Sequence, residues 1–194
     1  MKVLVACEFS GIVREAFAKR GHNAWSCDLL PTEIPGQHIE GDVLKILYDG
    51  WDLMIAHPPC TRLTNSGVMW LEKRNLWKDM QAGALFFKEL LEAPTPRKCI
   101  ENPIMHKYAI KIIGRQYSQI IQPYQFGHTE RKATCLWLTE LPPLKTTKDV
   151  KAEMDKLPKN IAQRIHYTPP GKDRWKIRSK TFQGIADAMV EQWG

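Results

Sequence analysis

The chain opens with a nearly continuous apolar run over residues 2–7, turns at Ser10-Gly11, and then sets apolar positions at helical spacing over residues 12–20, closed by Gly21. An uninterrupted run predicts a strand buried on both faces. The periodic stretch predicts an amphipathic helix whose terminal glycine supplies a left-handed cap. A second short strand is expected over residues 23–27, ending at Asp28. A loop containing Pro and Gly then leads to Gly41-Asp42 and the apolar positions Val43, Leu44, Ile46 and Leu47. Residues 52–56, DLMIA, read as a central parallel strand, and HPPCT follows at once. Over residues 68–91, Leu71, Leu76, Met80, Ala84, Phe87 and Leu91 predict one long helix or two abutting ones. Residues 98–100 predict a strand running into Glu101-Asn102-Pro103, residues 108–114 a helix, 119–123 an extended segment, and 134–138 a strand rich in β formers. In the last element, residues 181–193, Phe182, Ile185, Met189 and Trp193 fall on one helical stripe.

Strands alternating with helices predict an α/β fold with a doubly wound, mostly parallel sheet. Such sheets bind ligands at the carboxyl ends of their strands, where the chain order switches. EFSG, Asp28, Asp42, HPPC and ENP all fall just after expected strands, so they are predicted to converge on that edge.

The 194 residues suit a single domain, with no internal repeat, and 43% hydrophobic with 25% charged residues is the balance of a folded chain. The first apolar run is too short for a signal peptide and Glu8 interrupts it. No stretch approaches the roughly 20 apolar residues of a membrane span. An intracellular, cytoplasmic protein is expected. The five cysteines form no C-x-x-C pair and no Cys/His cluster at zinc spacing, so free thiols and no structural metal are expected. Residues 145–180 hold eleven Lys or Arg against four acids, a local excess equal to the +7 of the whole chain. Such a block attracts phosphates and suits nucleic acid; a solvated connector is the plainer alternative.

Cys60 stands after two prolines at the expected sheet edge, on a loop whose stiffness lowers the entropy cost of holding a thiol in place. It reads as a nucleophile, or else as a small buried residue. Glu101, half-buried beside such a thiol, could have a raised pKa and donate to a heterocycle; alone it could equally be a surface carboxylate. Gly11 permits a tight strand-to-helix turn, and the helix N-terminus beyond it suits the carboxylate of an amino-acid-like cofactor. Asp28 stands where an acid commonly holds ribose hydroxyls, and Asp42 at a spacing that could reach an adenine amino group, though each also reads as a strand-end cap.

Together these segments resemble, in order, the motifs of the cytosine-C5 DNA methyltransferases, and in particular small phage and prophage proteins of that kind. EFSG resembles the first motif, which implies cofactor contacts from Phe9, Ser10 and Gly11. CDLLP and EGDVLKI resemble the second and third, implying that Asp28 and Asp42 hold S-adenosylmethionine. AHPPCTRLTNSG resembles the catalytic proline-cysteine loop, which makes Cys60 the nucleophile and brings Pro58 to the cofactor. ENP resembles the motif whose glutamate engages the cytosine ring, here Glu101. QFGHTERKATCLWL resembles the eighth motif and FQGIADAM, distantly, the tenth. The resemblance implies a Rossmann-like methyltransferase fold, a single domain over residues 1–194, and methylation of a cytosine flipped out of duplex DNA.

The departures are specific. The first motif is short of glycines, and the eighth has Glu130, Lys132 and Thr134 where a glutamine and two arginines are expected, leaving Lys132 or neighbouring Arg131 as the basic contact near the base. The expected Asn of the last motif is absent, and a basic segment at about 140–180 stands in place of a target-recognition domain. Lys172, Arg174, Lys176, Arg178 and Lys180 there are expected to contact phosphates without reading sequence, with Trp175 as an anchor or a stacking platform. A binding module that has lost catalysis, or a methyltransferase acting on RNA or a free nucleotide, remains open at this stage.

Overall fold

The computed structural model describes all of residues 1–194. Its centre is a seven-stranded sheet in the order β3-β2-β1-β4-β5-β7-β6. The strands are β1 (Lys2–Ala6), β2 (Asn23–Asp28), β3 (His38–Glu40), β4 (Leu53–Ala56), β5 (Arg97–Asn102), β6 (Gln119–Ile121) and β7 (Thr134–Thr139). β7 runs antiparallel to both its neighbours, and the pairs among β1 to β5 are parallel. This is a Rossmann-like, doubly wound α/β sheet, as the alternating pattern predicts. The chain steps from β1 outward to β3 and returns through β4 on the other side of β1. The switch point therefore lies between β1 and β4.

Alternate side chains of each central strand enter opposite cores. Leu4, Ala6, Met54, Ala56, Ile100, Cys135 and Trp137 face a layer that includes α3 (Trp77–Glu92) and α4 (Lys107–Ile113). Val3, Val5, Leu53, Ile55, Cys99, Leu136 and Leu138 face α1 (Ile12–Lys19) and the C-terminal helix (Gln183–Trp193). Burial on both faces accounts for strands that read as continuous apolar runs.

Of the two arrangements expected over residues 68–91, the second is present: α2 (Met69–Lys73) and α3, parted at Asn75, which adopts a left-handed φ of 51°. β3 has no apolar run and was not expected; parallel pairing with β2 defines it. The basic segment holds four short helices, α5 (Lys151–Met154), α6 (Lys159–Ala162), α7 (Arg164–Tyr167) and α8 (Arg174–Ser179), ahead of α9 (Gln183–Trp193). It is not a wholly solvated connector, since Met154, Ala162 and Ile165 are buried within it. No helix is long and apolar enough to cross a membrane, and no group of three or more His, Cys, Asp or Glu side chains could hold a metal ion.

Candidate active site

The carboxyl ends of β1, β2, β4 and β5 meet at one edge, and β7, being antiparallel, begins there. Backbone pairing continues past the strands, with the Glu8 amide donating to Cys27 O (3.1 Å) and the His57 amide to Ala6 O (2.9 Å). The loops after β1 and β4 thus leave the sheet side by side.

After β1, the buried Glu8 carboxylate accepts from the amides of Val13 (2.7 Å) and Arg14 (3.2 Å) and from the Ser10 hydroxyl (3.2 Å). It caps α1 and answers the positive end of the helix dipole. The sequence reading left that helix N-terminus for a cofactor carboxylate; the structure corrects this, because Glu8 already fills it. Gly11 turns the chain at φ 72°, and a Cβ there would lie 2.6 Å from the Arg14 guanidinium, so only glycine fits. Arg14 is itself buried on α1 and donates to Ile34 O (2.5 Å) and Pro35 O (3.2 Å), fastening the loop after β2 to the loop after β1. Gly36 gives it room, for a Cβ there would fall 1.6 Å from the same guanidinium.

Asp28 ends β2 half-buried, one oxygen accepting from the Leu30 amide (3.0 Å). Burial raises its pKa against the opposing pull of backbone amides and His38. Asp42 caps a short 3-10 turn through the Leu44 amide (3.1 Å). Their shared field reaches Cys27, whose thiol is pushed up to about 11 by burial first and then by these two carboxylates. Both acids therefore lie near Cys7 and Cys27 at the ends of β1 and β2, each with a partial capping role.

The proline-cysteine loop leaves β4 at His57. Asn102, the residue after Glu101, donates from Nδ2 to Pro58 O (3.0 Å) and so ties this loop to β5. Glu101 lies inside β5 rather than beyond it, paired with Leu136 of β7. Its Oε2 accepts from His57 Nδ1 at 2.8 Å in a pair whose side chains are only 12% and 10% exposed. Burial pushes against both charges, but the contact prevails. His57 is raised by its bond to Glu101 and by the Glu101 and Glu8 charges, while Glu101 is lowered by His57 and Lys132. The expectation of a raised Glu101 is thereby reversed, because the imidazole donates to its ionised form.

Cys60 is half-buried and free. Burial raises its pKa most and Glu101 adds to this, while Lys132 and Arg178 pull it down. Lys132 acts on Cys60, His57 and Glu101 alike, so the structure brings these four to one place. Its ammonium donates to Arg178 O (3.0 Å), fixing α8 against the site.

The remaining basic residues divide. Arg131 pairs with Asp155 at 3.0 Å, and Glu130 with Arg164 at 2.6 Å, neither directed at Cys60. Lys180 meets Glu33 at 2.5 Å across the loop after β2. Lys172 is exposed, Arg174 leans toward His166 O (3.5 Å), and Lys176 lies over the Trp175 ring. Trp175 meets Phe9 in a T-shaped contact, with ring centroids 5.7 Å apart, so in this conformation it anchors α8 on the loop after β1. Phe9 also lines a cavity of about 30 Å³, together with residues that include Glu8, Ser10, His57 and Lys180. Sequence reasoning missed Glu8 and His57 as site residues. The one available signal for His57 was its place between a buried strand and two prolines.

The solved structures that resemble this chain include the following two. A prophage-encoded E. coli protein described as a DNA modification methyltransferase is 14% identical, with a TM-score of 0.47, over 81% of this chain and 55% of its own. The Entamoeba histolytica methyltransferase EhMeth is 16% identical, with a TM-score of 0.48, over 76% of this chain and 57% of its own. The chain thus spans little more than half the length of either. No family model and no curated protein matches the sequence.

Proposed function

We propose that this protein is an S-adenosylmethionine-dependent methyltransferase that methylates C5 of cytosine in DNA through a covalent adduct on Cys60. The observation that carries this reading is the meeting of a half-buried thiol, a paired buried carboxylate and two cations at the switch point of a doubly wound sheet.

The donor set beside the Glu8–Gly11 turn fits the cofactor. Phe9 offers an aromatic wall, and Asp28 and Asp42 offer carboxylates for ribose hydroxyls and an amino group. S-adenosylmethionine supplies the electrophilic methyl group. The cavity of about 30 Å³ holds roughly one water, whereas ligand clefts run to about 300 Å³ or more. Lys180 lines that cavity and Trp175 stands against the Phe9 ring, so both must move for the cofactor to enter.

C5 of cytosine is a poor nucleophile. Attack of the Cys60 thiolate on C6 makes the ring enamine-like, so that C5 can accept a methyl group. Lys132 and Arg178 favour the thiolate, while the Oε1 of ionised Glu101 is left to accept from the cytosine 4-amino group. The base must first leave the duplex stack, at a cost of about a few kcal/mol. Phosphate contacts from Lys172, Arg174, Lys176 and Arg178 position the strand without identifying it, so sequence specificity is weak or very short. Replacing Arg174, Lys176 and Arg178 together by Ala should reduce the slope of log affinity against log salt by up to about 2.7 for duplex DNA, at roughly 0.9 per phosphate. An unchanged slope removes this segment from the interface.

The test is to incubate the protein with methyl-labelled S-adenosylmethionine and unmodified duplex DNA of mixed sequence, then digest and identify the labelled nucleoside. Label in 5-methylcytosine is expected. Label in another nucleoside overturns the C5 assignment, and absence of both label and cofactor binding leaves a nucleic-acid-binding module.

A further inference from the structure

His57 has no role in the steps described so far, yet it is a nearly buried side chain held in the site by Glu101. Its Nδ1 is bound to Glu101 Oε2 at 2.8 Å, and its Nε2 is buried with no hydrogen-bond partner at all. A buried nitrogen left unpaired is costly, and a structural histidine would avoid that cost by finding an acceptor or a donor. His57 also lines the small cavity shared with Glu8, Phe9 and Ser10, while its own loop carries Cys60 three residues on. It stands between the cofactor-side loop and the nucleophile loop, and the C5 atom must lie between the methyl donor and Cys60.

We infer that His57 is the general base that removes the C5 proton, an inference that rests on the cytosine-C5 reading. The carboxylate of Glu101 holds the proton of neutral His57 on Nδ1, so that Nε2 presents its lone pair to the cavity. After methyl transfer, C5 carries both the new methyl group and its original hydrogen. Nε2 takes that hydrogen as a proton. The electron pair of the broken C5–H bond becomes the C5–C6 double bond, the C6–S bond breaks, and Cys60 leaves as thiolate. The imidazolium formed is stabilised by Glu101 and gives its proton to solvent. Neither oxidant nor further reactant is required.

Loss of this base should not stop the earlier steps. His57→Asn keeps an amide where Nδ1 donates to Glu101 but carries no base. With duplex DNA tritiated at cytosine C5 and with S-adenosylmethionine, the variant should transfer about one methyl group per protein molecule and then stall. It should accumulate a Cys60–DNA adduct that survives denaturation, while tritium release falls by about 100-fold or more. His57→Gly should regain tritium release when imidazole is added, which a purely structural role would not allow. A thermal melt identifies a variant that has failed to fold, and the pH dependence of tritium release by the unaltered protein then carries the test through a limb belonging to His57. If the unaltered protein makes 5-methylcytosine but His57→Asn transfers methyl groups and releases tritium in step with no adduct, and imidazole rescues nothing, His57 is not the base. If the unaltered protein makes no 5-methylcytosine, the cytosine-C5 reading fails and the base assignment falls with it.

Discussion

Cys60→Ser is expected to abolish cytosine methylation, by about 10⁴-fold or more, while leaving the fold and the affinity for DNA in place. The substitution is nearly isosteric at a half-buried position, so stability should change by no more than ~1 kcal/mol. The chemistry changes far more. Even the thiol is held protonated at rest, because burial and Glu101 outweigh Lys132 and Arg178. Its ionisation must be completed when the substrate is seated, by exclusion of competing partners and by the two cations. A hydroxyl ionises so much less readily that the same cations cannot supply the nucleophile. The distinguishing measurement is the covalent complex on DNA, trapped with a cytosine analogue that cannot eliminate. The unaltered protein should form it and Cys60→Ser should not, even at equal DNA occupancy. An adduct formed by the Ser variant would place the nucleophile elsewhere.

Much of this arrangement was legible in the sequence, for reasons that differ from element to element. β1, β4 and β7 read correctly because strands buried on both faces show as apolar runs, and α1 and α9 because their stripes are periodic. β3 did not, since His38, Ile39 and Glu40 carry no pattern and are a strand only through pairing with Ser26, Cys27 and Asp28. The helices of the basic segment are too short for a periodic signal. They are tied by pairs such as Arg164–Glu130 and Arg131–Asp155, whose partners lie in other parts of the chain.

The site shows the same division. That the polar signatures at the strand ends share one edge followed from the alternation of strands and helices, which makes the central strands parallel. Its electrostatics did not follow. Glu101 reads as a carboxylate that burial should raise; that it is lowered depends on His57, 44 residues away, which meets it because β4 and β5 are neighbours. Likewise Glu8 reads as a polar interruption of an apolar run, and only the turn at Gly11 brings the amides of Val13 and Arg14 round to it. Sequence separation hides pairings of this kind, and those pairings set the protonation states on which the chemistry depends.

The His57–Glu101 pair should make stability and turnover respond to pH in opposite directions. Three charged groups shift the imidazole, Glu101 from β5, Glu8 from the loop after β1 and Lys132 from before β7, and Lys180 lines the same small cavity. The two carboxylates win, so His57 is raised above 6.5 in the folded protein, and its stabilising contribution is full below 6.5 and lost as pH rises through the raised value. Glu101 is lowered below 4.5, so its contribution is full above 4.5 and lost as pH falls through the lowered value. Between 4.5 and 6.5 the pair stabilises the fold most. Proton removal from C5 needs neutral His57, so tritium release from C5-tritiated DNA should climb only above 6.5, over the range in which the pair's stabilisation declines. Glu101→Gln keeps an acceptor for Nδ1 but removes the charge, and burial then acts on the imidazole with less opposition. Its activity should fall by about 10²- to 10⁴-fold, and the limb of what remains should move to lower pH. Melting temperature should lose its decline above 6.5 in the same variant. A wild-type limb at or below 6.5, or one that Glu101→Gln leaves where it was, would remove the dyad from the reaction.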